Sequence, residues 1–172
     1  PSRRNLKSVF LPLPLEGARL VASNDVPNAA SNGGLLAKDT DPLLERVNAA
    51  TDKALRIKWA AASVIEVHLG AFPYPLDLDD GEPVLVHLLA RMSGATNTPT
   101  IAVGYFEGIG DTNAGGNTPA LSGTLALLTV TVTAANIGAA PSFASVTLTP
   151  GADGTDTLEL YAAIVEITDR LI

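Results

Sequence analysis

The chain has 172 residues, a mass of 17.7 kDa and a formal net charge of −7. This size fits one domain, and the acidic balance argues against a nucleic-acid partner, whose phosphates it would repel. The absence of cysteine excludes disulfides, thiolate catalysis and zinc–thiolate sites, and it favours folding in a reducing cytosol. No apolar run approaches the roughly 20 residues of a membrane span and no signal-peptide pattern is seen, so no membrane partner is expected.

Residues 1–34 are predicted to form an extended arm that precedes a β-domain over residues 35–172. The segment Leu11–Leu15 alternates leucine with proline, which favours an extended backbone and removes amide donors, so it cannot be a central strand. A short strand is possible at Ala18–Ser23. The arm is apolar with a basic tip, which suits a segment that binds a neighbouring acidic surface, although a solvated tail is the more common alternative. The predicted partner-binding residues are Arg3, Arg4, Lys7, Phe10, Leu11, Leu13 and Leu15.

Alternation of apolar and polar residues predicts β-strands over most of the remaining chain. The pattern is clearest in the predicted long strand Gly123–Thr133, where apolar residues alternate with threonine from Leu128 on. Leu43–Val47 fits either a short helix opened by Asp41-Pro42 or a strand, and we favour the strand. Further strands are predicted around Leu55–Trp59, Ile65–Leu69, Val84–Arg91, Ile101–Tyr105, Ala144–Thr149 and Thr157–Thr168.

These elements predict an all-β protein, an antiparallel β-sandwich or jelly roll of about eight strands. Fifteen glycines and twelve prolines indicate frequent turns rather than long helices. Hydrophobic residues make up 47% of the chain but aromatic residues only 5%, so the core is expected to be aliphatic. Tyr161–Val165 is apolar on both faces, which indicates a strand that is central in the core or covered by another subunit.

Two histidines were weighed as a metal or acid–base site. His68 and His87 lie at polar positions of successive predicted strands, with Glu66 as the nearest candidate partner. Histidines on a wet sheet face are more often plain surface residues, and that interpretation is preferred.

Two loops carry carboxylates in patterns that can bind Ca²⁺. The segment 77–82 holds Asp77, Asp79, Asp80 and Glu82, and 111–115 has an Asp-x-Asn pattern. The EF-hand pattern is not met, and solvated turns are the preferred interpretation.

No catalytic, cofactor-binding or metal-binding residue is predicted, and the chain is not expected to be an enzyme. There is no Gly-x-Ser-x-Gly elbow, and the glycine-rich loop 108–116 lacks the Gly-Lys-Ser/Thr ending of a phosphate loop. Glu159 and Glu166 could serve as a glycosidase pair, but any acidic protein offers such pairs.

Five segments between Lys53 and Glu166 combine turn and strand residues in a less generic way. They are 54–61 (ALRIKWAA), 72–79 (FPYPLDLD), 92–95 (MSGA), 110–116 (GDTNAGG) and 148–156 (LTPGADGTD). Together they resemble the small capsid decoration, or cement, proteins of tailed bacteriophages. The resemblance implies a jelly-roll-like domain on the outer surface of the virion, made in the host cytoplasm, that trimerises and clamps neighbouring major capsid subunits.

The leading prediction is therefore a structural virion protein whose partners are the major capsid protein and two further copies of itself. The alternative is a glycan- or receptor-binding β-sandwich module of a virion tip or cell surface. In that alternative the ligand is recognised by the loops Gly108–Asn117 and Pro73–Glu82.

Overall fold

The computed structural model describes residues 6–20, 34–36, 40–47, 53–110 and 112–170. Regular structure in these ranges consists of β-strands and short 3₁₀ turns, and none of their helices is long and apolar enough to cross a membrane. The eleven strands are β1 (Leu6–Pro12), β2 (Arg19–Leu20), β3 (Leu43–Arg46), β4 (Leu55–Trp59), β5 (Val67–Pro73), β6 (Val84–Met92), β7 (Ile101–Glu107), β8 (Gly116–Asn117), β9 (Ala126–Val132), β10 (Phe143–Pro150) and β11 (Leu158–Arg170).

The strands form two antiparallel sheets, which confirms the predicted β-sandwich. Sheet A has the order β3-β4-β11-β6-β9, and β1 also pairs with β11; sheet B has the order β2-β5-β10-β7-β8. The number of strands exceeds the predicted eight because the structure adds β1 and β8 and contains the short strand β2, which lies within the segment Ala18–Ser23 where a strand is possible from the sequence. The segment Leu43–Arg46 is a strand, as preferred from the sequence.

The long strand β11 is the centre of sheet A. One of its sides pairs with β6 over residues 158–166, and its other side pairs first with β4 and then with β1. In the apolar run Tyr161–Val165 of β11, Ala163 and Val165 are buried, whereas Tyr161, Ala162 and Ile164 are half-buried.

The inner faces of the two sheets meet in an aliphatic core, as predicted. In β9 the alternation works as expected: Leu128, Val130 and Val132 are buried and the intervening threonines are exposed. Trp59 lies in the same core, where its indole nitrogen donates a 2.9 Å hydrogen bond to the carbonyl of Ile65. Burial of the aliphatic side chains is the main favourable contribution to folding.

The N-terminal segment packs on the chain's own sandwich. Strand β1 extends the edge of β11, and Leu13 and Leu15 are buried in the shared core. Phe10 is 58% exposed, on the outer side of sheet A opposite Glu166. Arg3 and Arg4 lie outside the described residues, and binding of a partner through the arm and the boundary at residue 34 both stay predictions.

A core truncation tests the central position of β11. Leu160→Ala removes a fully buried side chain from the middle of sheet A, so we expect a loss of about 2–5 kcal/mol in the free energy of unfolding. Leu127→Ala, at a side chain that is 63% exposed, is the matched control and should change the free energy by less than about 0.5 kcal/mol. Urea denaturation measures both; equal losses would contradict the assignment.

Candidate functional site

The structure separates the two histidines weighed as a site. His68 lies on β5 of sheet B and His87 lies on β6 of sheet A, so the two strands do not pair and the histidines do not form a shared site. The chain crosses between sheets after β5, which the local alternation does not reveal. Burial lowers the pKa of His68, against the opposing charge of Glu66. His87 instead bonds to Thr129 at 2.9 Å and to Glu166 at 2.8 Å.

The acidic loop 77–82 is tied to the end of β11. Asp79 is fully buried, and its Oδ1 accepts hydrogen bonds from the amide of Gly81 and from Arg170. Arg170 also pairs with Asp80 at 2.8 Å. No group of three or more His, Cys, Asp or Glu side chains that could hold a metal occurs in the described part of the chain, and Asp111 lies outside it.

A groove of about 540 Å³ opens on the outer face of sheet A, the face turned away from sheet B. We call it the sheet-A groove. Its lining combines aliphatic side chains with one aromatic ring and two basic groups: Val47, Lys53, Ala54, Leu89, Arg91, Leu125 and Tyr161. Mostly apolar walls with a few fixed polar groups are typical of ligand-binding clefts.

The carboxylate of Glu159 organises the polar side of this groove. It is 5% exposed, and it accepts bonds from Arg56 at 2.7 Å, Arg91 at 2.7 Å and the hydroxyl of Tyr161 at 2.8 Å. These partners come from three adjacent strands, because Glu159 pairs in register with Arg91 on β6 and with Lys58 on β4. Arg56 is held from its other side by Glu45, at 2.6 Å.

The pKa of Glu159 reflects this environment. Burial acts to raise it, but the bonds from Arg91 and Tyr161 and the positive charge of Arg56 outweigh burial and lower it below its ordinary value. The carboxylate is therefore ionised at neutral pH and holds both guanidinium groups in place.

Tyr161 reaches the groove because of an irregularity in β11. The pairing with β6 shifts between Leu160 and Ala162, which leaves Tyr161 as an extra residue in the strand. Such a bulge re-aims a side chain relative to the regular alternation. The ring is fixed by its hydroxyl bond to Glu159 and by the guanidinium of Arg91, 5.8 Å from the ring centroid.

Arg91 is a partly exposed guanidinium of the groove. Its Nε bonds Glu159, and its side chain is 40% exposed. Since a guanidinium carries five N–H donors in a rigid plane, the groove offers oriented donors beside an aromatic face.

A second depression lies at one end of the sandwich, and we call it the loop-end pocket. It measures about 580 Å³ and is lined by Glu107–Gly110, Thr112–Ala114, Ala135–Gly138 and Ser142. Asn113 shapes the first of these loops, since its Oδ1 accepts bonds from the amides of Tyr105 and Gly115. None of the described lining residues is aromatic.

The floor of the loop-end pocket is a buried polar network. Glu107 accepts a 2.7 Å bond from the amide of Gly138, where a Cβ would collide with the carboxylate. The hydroxyls of Tyr74 and Tyr105 lie 2.6 Å apart, and burial raises the pKa of both tyrosines. Tyr74 belongs to the loop 73–82, and Tyr105 lies on β7, just before the loop 108–117. Their hydroxyl contact therefore connects the two loops that the sequence analysis named as a possible ligand site.

No protein-family model and no curated protein matches this chain. Three solved structures with similar folds are carbohydrate-binding proteins. The N-terminal cellulose-binding domain of Cellulomonas fimi β-1,4-glucanase C has 17% identity and a TM-score of 0.46, with 77% of this chain and 86% of that domain covered. A CBM4 structure has 18% identity and a TM-score of 0.42, with 77% and 88% covered. The carbohydrate-binding module CBM36, in complex with calcium and xylotriose, has 12% identity and a TM-score of 0.41, with 92% and 98% covered.

The predicted capsid-clamping function is contradicted by these comparisons, because the structures found are carbohydrate-binding modules and not virion proteins. The comparisons do not bear on a phage origin, a trimer or a virion location, which stay untested predictions.

Sequence reasoning missed the residues that form the sheet-A groove. The local alternation does not bring Arg56 and Arg91 together with Tyr161, which falls in the apolar run Tyr161–Val165 of the last predicted strand. Glu159 was considered as a catalytic carboxylate together with Glu166, yet its oxygens are occupied by basic partners. The sequence feature that points to this site is the recurrence of charged residues at outward positions of β4, β6 and β11.

Neutralising Glu159 should destabilise the fold in a pH-dependent way. Glu159→Gln removes a buried charge between two guanidinium groups, and we expect a loss of about 3–5 kcal/mol at pH 7. Because the folded pKa lies below the unfolded value of about 4.3, the wild-type contribution is present above that pH and is lost as the pH falls through the folded pKa.

Urea denaturation of wild type and variant at neutral and acidic pH measures this effect. The difference between the two proteins should shrink under acidic conditions. Glu16→Gln, at an exposed residue, is the control and should leave stability unchanged. A difference that is the same at both pH values would show that the charge of Glu159 is not what matters.

Proposed function

We propose that this chain is a non-catalytic glycan-binding module whose ligand lies in the sheet-A groove. The observation that carries the proposal is the fixed pair formed by the ring of Tyr161 and the guanidinium of Arg91 in an open groove with aliphatic walls. A pyranose ring has an apolar C–H face and a rim of hydroxyl groups. The tyrosine ring suits the first and the guanidinium suits the second.

Preorganisation supports this assignment. The bonds from Glu159 hold Tyr161 and Arg91 before any ligand arrives, so little side-chain entropy is lost on binding. Leu89 and Leu125 provide apolar surface beside them. An exposed apolar surface of this kind, rimmed by polar groups, is typical of a binding site.

The local charge favours an acidic sugar. Among described residues in and next to the groove, four side chains are basic and two are acidic, although the whole chain carries −7. The basic residues are Lys53, Arg56, Lys58 and Arg91, and the acidic ones are Glu45 and Glu159. A uronate or other anionic substituent gains from this local positive excess.

The loop-end pocket is the weaker candidate for the same ligand class. It is polar and has room for a monosaccharide, but its described lining has no ring on which a sugar could stack. We therefore place the glycan in the sheet-A groove and not at the loops 73–82 and 108–117, which the sequence suggested.

Removing the ring should weaken glycan binding. A glycan array with neutral and uronate-containing oligosaccharides identifies a ligand, and calorimetry with that ligand then compares variants. We expect Tyr161→Ala to weaken binding about five- to tenfold, because a lost aromatic platform costs about 1–1.4 kcal/mol. Arg91→Ala should weaken it similarly, while Glu159 remains paired with Arg56.

Two controls locate the site. Phe143→Ala removes an exposed ring from sheet B, and Asn136→Ala alters the loop-end pocket; both should bind normally. Loss of binding in Asn136→Ala with normal binding in Tyr161→Ala would move the ligand to the loop-end pocket. Failure of the wild-type protein to bind any glycan on the array would refute the proposed function.

The charge argument makes a separate prediction about ligand preference. A uronate-containing oligosaccharide should bind more tightly than the same oligosaccharide after reduction of its carboxyl groups, and the advantage should decline as salt is added. Calorimetry at low and high sodium chloride concentration measures this. Equal affinities for the two ligands at low salt would contradict an electrostatic preference.

A further inference from the structure

The outer face of sheet A continues beyond the sheet-A groove, across β1, β11, β6 and β9. Register partners in neighbouring antiparallel strands point to the same side of a sheet. Two rows of such partners cross this part of the face, and all of their side chains are exposed or half-buried. One row is Pro12, Ile164, His87 and Thr129, and the other is Phe10, Glu166, Leu85 and Thr131.

A hydrogen-bonded line of polar groups lies within these rows. The imidazole of His87 bonds the carboxylate of Glu166 through Nε2 at 2.8 Å and the hydroxyl of Thr129 through Nδ1 at 2.9 Å. The bonds from Ser8 and His87 lower the pKa of Glu166, against a smaller opposing effect of burial, so its carboxylate is ionised at neutral pH. An ionised carboxylate only accepts hydrogen bonds, so Nε2 of His87 carries the hydrogen. Four adjacent strands therefore contribute one connected set of polar groups.

Phe10 places an aromatic ring beside this polar line. Its side chain is 58% exposed, and Phe10 is the register partner of Glu166. The sequence predicts Phe10 as a partner-binding residue, and the structure turns its ring outward, away from the core. An exposed ring next to fixed hydrogen-bonding groups repeats the arrangement of Tyr161 and Arg91 in the sheet-A groove.

An apolar strip connects this surface with the sheet-A groove. His87 and Arg91 are four residues apart on β6, so they lie about 13 Å apart along the strand. Between them, Ala162, Leu89 and Leu127 are register partners on three adjacent strands. Leu89 also lines the groove, and Leu127 is 63% exposed. A single sugar ring cannot contact both polar groups over this distance, whereas a chain of linked sugars can lie along the strip.

We propose that Phe10, Glu166 and Thr129 form a second sugar subsite, so that the ligand is an extended oligosaccharide rather than a single sugar. This inference rests on the proposed glycan function and extends the same binding surface. The ring of Phe10 stacks on the apolar face of a sugar, and the carboxylate of Glu166 accepts strong, charge-assisted bonds from its hydroxyl groups. His87 is a positioning residue, because it holds both Glu166 and Thr129 in place.

Oligosaccharides of different length test the second subsite. The probes are the disaccharide and the hexasaccharide of the linear series that binds best on the glycan array, each titrated calorimetrically into the full chain. The wild type should bind the hexasaccharide more tightly, because only the longer chain reaches both subsites. Phe10→Ala should weaken hexasaccharide binding about two- to tenfold and leave disaccharide binding unchanged.

A second variant and two comparisons accompany this test. Thr129→Val keeps the shape of the side chain and removes its hydroxyl, so it should weaken hexasaccharide binding in the same direction. It carries the test if Phe10→Ala disturbs β1. Phe143→Ala, at an exposed ring on sheet B, is the matched control and should bind both probes like the wild type. Tyr161→Ala should weaken the binding of both probes.

Three results would overturn the second subsite while the sheet-A groove remains supported by Tyr161→Ala. They are equal wild-type affinity for the two probes, wild-type hexasaccharide binding in both Phe10→Ala and Thr129→Val, and equal weakening of both probes in these variants. A wild-type protein that binds no glycan of either length refutes the proposed function and the second subsite together.

Discussion

The outer face of sheet A depends on one buried carboxylate. Glu159 joins Arg56 of β4, Arg91 of β6 and Tyr161 of its own strand, so three adjacent strands are cross-linked through a single side chain. A buried charge of this kind contributes only while all its partners are present, because each removal leaves another charge without compensation. The same contacts that satisfy Glu159 also fix the aromatic ring and the guanidinium at the groove.

The two faces of β11 have different roles. Its inner side chains belong to the aliphatic core, where any regular alternation of apolar side chains of suitable volume can pack. Its outer side carries the bulge at Tyr161, which departs from regular pairing and so requires a specific local geometry. The position of the Tyr161 ring is therefore set by the backbone, and the orientation of the ring is set by Glu159 and Arg91. A rigid sheet is a more exact support for such groups than a loop.

The fold was largely predictable because the strands of a β-sandwich have one buried and one exposed face, so apolar and polar residues alternate along the sequence. The run Leu128–Val132 indicated which side chains are buried, and it was confirmed residue by residue. Strand partners were not predictable, because pairing joins residues far apart in the chain. His68 and His87 lie in successive strands but in different sheets, whereas Arg91 and Glu159, 68 residues apart, are direct neighbours.

The turn residues also have a local physical explanation. The segment 148–156 is part of the resemblance to capsid decoration proteins, and Asp153 within it has a role in the backbone of the turn. Asp153 closes a turn by accepting bonds from the amides of Thr155 and Asp156. Aspartate and glycine in such turns arise from backbone geometry in many unrelated β-proteins. A pattern of turn residues thus identifies the architecture more reliably than the function.

The pairing of β1 with β11 has a topological consequence. Leu6 and Arg170, near the two ends of the described chain, are register partners in adjacent antiparallel strands. Their backbones are therefore about one strand spacing, or roughly 5 Å, apart. The first and last described strands therefore lie side by side in sheet A, and each supplies the backbone hydrogen-bond partners of the other.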